Sequence, residues 1–313
     1  MREFRFYLCY KTRATGAWIR FDARSGADTI GAMRALTDQV IIVTGASSGI
    51  GEATVRRLAR GGAKLVISAR RSDRLEALAR ELDPSGERVL AVAADVTVDA
   101  DRRRVVDGAL GKFGRIDALV NNAGYGTRGP VELVPLELIR RNFETNVFAL
   151  VALTQLVAPH LRERGSGRII NIGSVAGKIA RPLSSIYDST KHAVEAITDG
   201  LRGELAPFGI QVVLIRPGFI LSGFLDAANQ ASESVLANGG PYATYFAGFR
   251  HDYRRLQRIA GTGDDIARLV EKALTARWPA PRYAAPAHAK LFLFFKWLLP
   301  ARTLDWIVRL RKG

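Results

Sequence analysis

The sequence predicts an α/β protein built on a doubly wound parallel sheet, as a single domain with a helical extension at its C-terminus. Two observations predict this class. Short apolar runs alternate with longer segments of helical pattern, and the runs are apolar on both faces, as buried parallel strands are. The runs are VIIVT (40–44), KLVISA (64–69), RVLAVAA (88–94), DALVN (117–121), RIINIG (168–173) and IQVVLI (210–215).

Helical patterns fill the gaps between the runs. Because alternating strands and helices form βαβ units with right-handed crossovers, we expect helices on both faces of the sheet. Ligands of such sheets bind at the carboxyl ends of the strands, so the residues just after each run are candidate site residues. The helical segments are 49–61, 72–82, 98–112, 135–163 and 184–206.

The chain of 313 residues divides into one large domain, predicted at residues 37–283, and two ends. Residues 1–36 are predicted to be a disordered extension, because they look unrelated to the fold and MRALTDQVIIVTG begins at Met33 as such domains commonly begin. A transit peptide is the alternative for this Arg-bearing leader. Residues 284–313 are predicted to form an amphipathic tail.

The net charge of +16 is partly a property of the chain ends. Residues 1–36 hold seven Arg/Lys against three Asp/Glu, and residues 284–313 hold six against one. No helix-turn-helix, RRM or zinc pattern accompanies this charge, so no nucleic-acid partner is predicted.

The single cysteine, Cys9, excludes an internal disulfide framework and fits a reducing compartment, so we expect a cytoplasmic protein. No apolar run reaches the roughly 18 residues that a membrane-spanning helix needs.

The segment TGASSGIG (44–51) follows the first run directly and opens a helical segment. Its glycines let the backbone turn sharply and approach a pyrophosphate, while the helix N-terminus offers free N–H groups and a positive dipole end. An ordinary glycine-rich turn is the alternative, but the strand–turn–helix context favours a dinucleotide site in a Rossmann-type sheet. The predicted contacts are Gly45, Ser47, Ser48, Gly49, Ile50 and Gly51.

The second run ends at Ala69 and is followed by Arg70 and Arg71. An acidic residue here would bind the ribose 2′-hydroxyl of NAD, whereas an arginine accommodates the 2′-phosphate of NADP. The sequence therefore favours NADP(H), with solvated surface arginines as the alternative. After the third and fourth runs, the predicted cofactor contacts are Asp95, Val96, Asn122, Ala123 and Gly124.

The segment SSIYDSTKHAV (184–194) places Tyr187 and Lys191 on one face of a predicted helix. Taken alone, this spacing also suits an exposed amphipathic turn. Because a nearby ammonium stabilises tyrosinate, we expect Lys191 to lower the pKa of Tyr187, which could then act as a general acid or base. Asp188 follows the tyrosine, and at i+1 it should point away from the site.

Together these motifs resemble those of the short-chain dehydrogenase/reductase family in its single-domain form, over about residues 38–283. The resemblance rests on TGxxxGxG at 44–51, NNAG at 121–124, Asn146 in ETNVFAL, Ser174 in NIGSVAG, YxxxK at 187–191 and RPGFI at 216–220. It implies a catalytic set of Asn146, Ser174, Tyr187 and Lys191. In that set Ser174 would hydrogen-bond the substrate oxygen, Lys191 would also hold the ribose hydroxyls, and Asn146 would keep a water in a proton relay.

The resemblance also implies that the segment RPGFILS (216–222) holds the carboxamide of the cofactor. We expect no metal site, and we expect a homodimer or homotetramer. The predicted carboxamide contacts are Pro217, Gly218, Ile220 and Ser222.

The implied activity is NADP(H)-dependent interconversion of a ketone or aldehyde and an alcohol. The tail resembles tails in the branch related to 17β-hydroxysteroid and retinol dehydrogenases, which favours a lipophilic, steroid-, retinoid- or lipid-like substrate. Residues 221–262 mix aromatic and small residues and should cover the substrate as a mobile lid. Two alternatives stay open: a 3-oxoacyl-carrier-protein reductase, which the basic surface would support, and a non-catalytic NADP-binding regulator.

The segment AKLFLFFKWLLP (289–300) crowds large apolar side chains between two lysines. It is too short to span a bilayer and too apolar to lie free in water. Pro300 should end any helix there. Three fates are open: packing on the domain, burial in an oligomer interface, or peripheral contact with a membrane through residues 287–311.

Overall fold

The computed structural model describes residues 9–11, 18–20, 35–37, 39–221, 223–233, 235, 240–242, 246 and 259–310. A seven-stranded parallel sheet forms its centre, with strand order β5-β4-β3-β6-β7-β8-β9, and a separate antiparallel pair joins β1 and β2. The strands are β1 (Cys9–Lys11), β2 (Trp18–Arg20), β3 (Val40–Thr44), β4 (Lys64–Ala69), β5 (Val89–Ala93), β6 (Ala118–Asn121), β7 (Gly167–Ile172), β8 (Ile210–Pro217) and β9 (Arg282–Ala285).

Helices connect the strands and cover the sheet. A π-helical turn, Glu144–Phe148, joins the fourth and fifth helices. The helices are α1 (Gly49–Arg60), α2 (Ser72–Leu82), α3 (Asp99–Phe113), α4 (Leu136–Phe143), α5 (Ala149–Glu163), α6 (Ser185–Leu205), α7 (Phe224–Ala231), α8 (Gly263–Thr275), α9 (Ala287–Leu298) and α10 (Ala301–Leu310).

The core lies on both faces of the sheet, as the apolar runs predicted. Successive strand residues point to opposite faces. On β3, Ile41 and Val43 pack with buried residues of α1 and α8, whereas Val40 and Ile42 pack with buried residues of α3 and α5. All four side chains are at most 1% exposed, so the doubly wound architecture is confirmed at its central strand.

The six predicted strands are all present, with ends that differ from the predicted ones by no more than two residues. Strand β9 was not predicted. It pairs only with β8 at the edge of the sheet, and its four residues are all partly exposed. An edge strand that is not fully buried does not need a continuous Val/Ile run, so RYAA carried no strand signal.

Strand order reverses between β3 and β6, because the chain builds β4 and β5 on one side of β3 and the later strands on the other. Side chains join the two strand ends at this point. Asn122 donates through Nδ2 to the carbonyls of Thr44 (2.8 Å) and Gly45 (3.2 Å), and Thr44 Oγ1 accepts from the backbone N–H groups of Asn122 and Ala123. This is where sheets of this kind bind their ligands.

The C-terminal tail forms two helices that Pro300 separates, as predicted. Within the described part of the chain, no helix is both long and apolar enough to cross a membrane. The boundary at residue 36 stays a prediction, because most of the leader lies outside the described residues. Of the segment predicted as a lid, α7 is described, whereas Ser222, Ser234 and residues 236–239, 243–245 and 247–258 lie outside the described residues.

Candidate active site

The glycine-rich loop between β3 and α1 has the backbone geometry that a close-approaching ligand requires. Gly45 and Gly49 have positive φ angles of 65° and 59°. A Cβ atom on Gly51 would lie 2.1 Å from the carbonyl oxygen of Gly45, so only glycine fits there. Helix α1 has no side-chain cap at Ser48, and its first N–H groups have no intrahelical partner. The loop therefore offers donors and a positive dipole end to a phosphate.

Three arginines line the cavity beside this loop, at the end of β4 and the start of α2. Arg71 donates through Nη2 to the hydroxyls of Ser47 (2.9 Å) and Ser48 (2.7 Å), so it is tied to the loop. Arg70 is exposed at the cavity rim. Arg74, in the first turn of α2, was not predicted; its signal in the sequence was its position three residues after Arg71, which is the N-cap residue of that helix.

Apart from Ser222, which lies outside the described residues, the other predicted cofactor contacts line the same cavity. Asp95 uses its Oδ1 to accept from the backbone N–H and the hydroxyl of Thr97, so part of its carboxylate is already engaged. Asn122 is committed to the strand ends described above. The predicted residues that line the cavity are Gly45, Ser47, Ser48, Gly49, Ile50, Gly51, Arg70, Arg71, Asp95, Val96, Asn122, Ala123, Gly124, Pro217, Gly218 and Ile220.

Asn146 lies in the π-helical turn Glu144–Phe148 and is 1% exposed. Its Nδ2 donates to the carbonyl of Tyr125 (2.9 Å) and to the hydroxyl of Thr190 (3.0 Å), and its Oδ1 accepts from the backbone N–H of Tyr125 (3.0 Å). Because Thr190 in turn donates to the carbonyl of Tyr187, Asn146 links this turn to the helix that carries the tyrosine. A π-helical turn inside a longer helix often marks a functional site.

Tyr187 and Ser174 lie together at the carboxyl end of β7 and both line the cavity. Tyr187 is 7% exposed and Ser174 is 9% exposed. Burial raises the pKa of Tyr187, and the positive charge of Arg181, a hydrogen bond with Ser174 and the charge of Arg128 oppose it. The net lowering expected from the sequence is wrong for this structure, because loss of solvent outweighs the nearby cations.

Lys191 follows one turn after Tyr187 on α6 and is 6% exposed. Its Nζ donates to the carbonyl of Ile172 at the end of β7 (2.9 Å) and lies 5.9 Å from the ring centroid of Tyr187. Burial lowers the pKa of Lys191 to about 8. The lysine is therefore fixed beside the tyrosine, as the shared helix face predicted.

One continuous cavity of about 650 Å³ connects these parts. Arg70, Arg71 and Arg74 lie after β4, the open N-terminus of α1 lies after β3, and Ser174 lies after β7, so the sheet order places the three arginines and the Tyr187–Ser174–Lys191 group at opposite ends. This donor set fits an elongated ligand with phosphates at one end and a reacting group at the other, as a dinucleotide has. Among the residues that the structure describes, no group of three or more His, Cys, Asp or Glu side chains could hold a metal ion.

Sequence reasoning missed several residues that surround Tyr187. Phe224 of α7 packs edge-to-face on its ring, with centroids 5.4 Å apart. Arg128 and Arg181 line the cavity from two loops. Asp188 does not line the cavity, but it is 0% exposed and pairs with Arg181, which does. A cavity-lining arginine on a loop leaves no periodic signal, so only the unusual acidic residue after the tyrosine hinted at this pair.

Comparison with known proteins identifies the family. The family model for short chain dehydrogenases matches residues 39–233. The chain is 34% identical over 280 residues to an uncharacterised oxidoreductase of Bacillus subtilis, YusZ, covering 88% of this chain and 98% of that protein. It is 32% identical over 270 residues to an NADPH-dependent 3-dehydrocapnine reductase of Ornithobacterium rhinotracheale, covering 85% and 94%.

A solved structure agrees with these relatives. The crystal structure of a 3-ketoacyl-(acyl-carrier-protein) reductase from Brucella melitensis, complexed with NADH, superposes with a TM-score of 0.67 and 31% identity, covering 80% of this chain and 97% of that one. The family match spans more than half of the chain and includes its glycine-rich loop and its Tyr187–Lys191 pair. This chain is therefore an enzyme of the short-chain dehydrogenase/reductase family.

Proposed function

We propose that the protein is an NADP(H)-dependent oxidoreductase that interconverts a ketone or aldehyde and an alcohol on a lipophilic substrate. The observation that carries the proposal is the buried group of Tyr187, Ser174 and Lys191 at one end of a cavity whose other end is lined by arginines. A non-catalytic regulator would not need this set, so the geometry favours catalysis over that alternative.

Tyr187 supplies the proton in this proposal. Because burial raises the pKa of Tyr187, the phenol is protonated at neutral pH and can donate to a carbonyl oxygen that is being reduced. Ser174 offers a second hydrogen bond to the same oxygen and favours the charge that develops on it. In the oxidation direction the phenolate would take the proton of the alcohol.

Lys191 and Asn146 support the tyrosine. With its Nζ held on the carbonyl of Ile172, Lys191 has two further N–H donors for the ribose hydroxyls of a cofactor. A bound nicotinamide supplies or accepts the hydride, and its position depends on the protein. Asn146 keeps one lone pair of Oδ1 beyond the bond from Tyr125, which could hold the water of the predicted proton relay.

Preference for NADP(H) over NAD(H) rests on charge at the end of β4. The strand is followed by Arg70 and Arg71 rather than by an acidic residue, and Arg74 adds a third guanidinium at the same rim. A dianionic 2′-phosphate would gain charged hydrogen bonds there. The NADPH-dependent reductase of Ornithobacterium rhinotracheale supports this preference, whereas the NADH bound to the Brucella melitensis enzyme is the opposing example.

The lipophilic substrate is inferred from the walls of the cavity near Tyr187. Phe219 and Phe224 line it, and both lie on segments that follow β8. A 3-oxoacyl group on an acidic carrier protein is the second candidate, supported by the net charge of +16 and by the carrier-protein reductase among the similar structures. Turnover tested with lipophilic ketones, a 3-oxoacyl thioester and sugars distinguishes the two.

The assembly of the protein as a homodimer or homotetramer remains a prediction from the sequence.

The tail adds an apolar surface close to this cavity. Seven large apolar side chains of α9 and α10 are exposed, among them Trp297 at 79%, while Lys290, Lys296 and Arg302 lie between or beside them. This combination suits a helix that lies in the surface of an anionic membrane. The exposed side chains are Leu291, Phe292, Phe294, Phe295, Trp297, Leu298 and Trp306.

The Tyr187→Phe variant tests the proton donor. We expect it to keep the fold and the cofactor affinity but to lose about 10²–10⁴-fold in turnover of its best carbonyl substrate, because the hydroxyl is removed without changing the ring. The matched control is Tyr283→Phe on strand β9, outside the cavity, where the hydroxyl only accepts from the backbone N–H of Ala280. Near-full turnover by Tyr187→Phe would overturn the assignment.

The Arg70→Ala variant tests the cofactor preference. Loss of a charged hydrogen bond of about 1.5–3 kcal/mol should weaken NADPH binding by about one to two decades, while NADH binding changes little. Titration of cofactor fluorescence measures both constants. Arg80→Ala, an exposed arginine at the far end of α2, is the control. Equal losses for NADPH and NADH would show that Arg70 does not contact the 2′-phosphate.

The Lys191→Met variant tests the buried ammonium through stability. Because the folded-state pKa of Lys191 is lowered to about 8 from 10.5, the unfolded chain binds more protons between these values, and wild-type stability rises with pH there. At pH 7, below both pKa values, the folded protein carries the full free-energy cost of burying the charged ammonium. Lys191→Met should therefore raise the free energy of unfolding by about 1–3 kcal/mol at pH 7, with a smaller gain at pH 10.

Urea unfolding at the two pH values measures that gain, and the exposed Lys112→Met serves as the control. The same Lys191→Met protein should lose activity and bind the cofactor more weakly. If the charged lysine instead stabilises the protein without cofactor, Lys191→Met would lower the free energy of unfolding at pH 7. That loss would then not shrink as the pH rises.

The membrane contact is tested with substitutions rather than with truncation, because Ala289 is buried against the domain. The double variant Phe294→Glu/Trp297→Glu in the full-length protein should abolish co-sedimentation with anionic liposomes. Wild-type binding should fall as salt rises. Trp278→Glu, which changes a tryptophan that is 63% exposed outside the tail, is the control. If the wild type ignores liposomes, the membrane interpretation is wrong.

A further inference from the structure

An ion pair between a buried carboxylate and a partly exposed arginine lies directly beside the candidate proton donor. Asp188, the residue after Tyr187, is 0% exposed in the first turn of α6. Its Oδ1 accepts from Arg181 Nη2 (2.6 Å), and its Oδ2 accepts from the Nε (3.2 Å) and from the backbone N–H (2.7 Å) of the same residue. One carboxylate therefore fixes both the side chain and the backbone of Arg181.

The segment that this pair holds is strained. It connects the loop of Ser174 with Tyr187, and within it Leu183 has a φ angle of 61° although it is not glycine. Leu183 is buried, and its carbonyl accepts from the backbone N–H of Gly129 (3.0 Å). Such a conformation is unfavourable for a residue other than glycine and persists only where its surroundings fix it. The bonds between Asp188 and Arg181 are among the contacts that do so.

Arg181 lines the cavity together with Tyr187. The charged groups around the tyrosine come from three elements: Arg181 and Arg128 from two loops, and Asp188 and Lys191 from α6 itself. Burial raises the pKa of Tyr187, while the positive charge of Arg181 lowers it and the negative charge of Asp188 raises it.

We propose that Arg181, held in place by Asp188, is a positioning residue that sets the protonation of Tyr187 and thereby the pH range of the reaction. The proposal rests on the role of Tyr187 in the proposed function. It assigns opposite effects to the two members of the pair: the guanidinium favours the phenolate, and the carboxylate opposes it while keeping the guanidinium at the cavity wall. A purely structural ion pair has no such asymmetry, because losing either member would loosen the same loop.

The test is a titration of Tyr187 in the full-length protein without cofactor or substrate. The ultraviolet absorbance of tyrosinate is followed against pH, and the curve of the matching Tyr187→Phe protein is subtracted so that the other tyrosines cancel. Arg181→Met should raise the apparent pKa of Tyr187 by about one unit, a tenfold change in its ionisation constant. Asp188→Asn, which keeps the shape of the side chain, should lower it.

Arg181→Met leaves the buried carboxylate of Asp188 without its partner, which can unfold the protein. Two further variants test the proposal in that case. Arg181→Lys keeps the charge and should titrate near the wild type. The double variant Arg181→Met/Asp188→Asn removes both charges and should fall between the two single variants. Arg140→Met is the control, because this exposed arginine pairs with Glu137 and does not line the cavity.

The second readout is the pH profile of alcohol oxidation by the NADP-loaded enzyme, whose rise with pH should move in the same direction as the absorbance curve for each variant. Shifts of the same sign for Arg181→Met and Asp188→Asn, or unchanged titrations with only a lower unfolding midpoint, would make the pair structural and overturn the proposal. Because the titration needs no turnover, its outcome is separate from that of the proposed oxidoreductase activity.

Discussion

The hydrogen bond from Lys191 Nζ to the carbonyl of Ile172 fixes helix α6 against the end of strand β7, and the geometry of the site depends on it. It satisfies one N–H of a buried ammonium, and the bond from Asn171 Nδ2 to Thr198 Oγ1 (2.9 Å) joins the same helix to the same strand. Tyr187 lies one turn earlier on α6, and Ser174 lies two residues after Ile172. Contacts between one helix and one strand end thus bring the cation, the phenol and the hydroxyl together.

A comparable constraint operates at the other end of the cavity. The strand ends of β3 and β6 must stay close enough for the glycine-rich loop and the NNAG segment to face one ligand. Asn122 and Thr44 hold them together through four hydrogen bonds, so the asparagine stabilises the scaffold at the same place where it lines the cavity. Gly45 fits the same arrangement, since a Cβ atom there would lie 2.9 Å from Asn122 Nδ2 and from Ala123 Cα.

The sequence was sufficient for the parts of the structure that rest on short-range patterns. Five of the six predicted strands are largely buried, and the edge strand β5 carries an apolar run although it is partly exposed, so all six runs were visible in the sequence. The glycine loop and the Tyr187–Lys191 spacing each lie within one turn of chain. It could not give the sign of the pKa shift of Tyr187, because that sign depends on how completely the domain excludes water. Arg181 and Phe224 were missed for the related reason that their approach to Tyr187 depends on the path of two loops.

The start of helix α9 joins the cavity to the apolar surface of the tail. His288 Nε2 accepts from the backbone N–H of Phe219, which lines the cavity (3.1 Å). Burial lowers the pKa of His288, so the ring is neutral at physiological pH and keeps the lone pair that this bond requires. A Cβ atom on Gly218 would lie 2.7 Å from the same nitrogen, so the helix docks this closely only because residue 218 is glycine. The loop predicted to hold the carboxamide therefore contacts the first turn of α9. A surface that captures lipophilic molecules through α9 would deliver them beside Phe219, within the wall of the cavity that contains Tyr187.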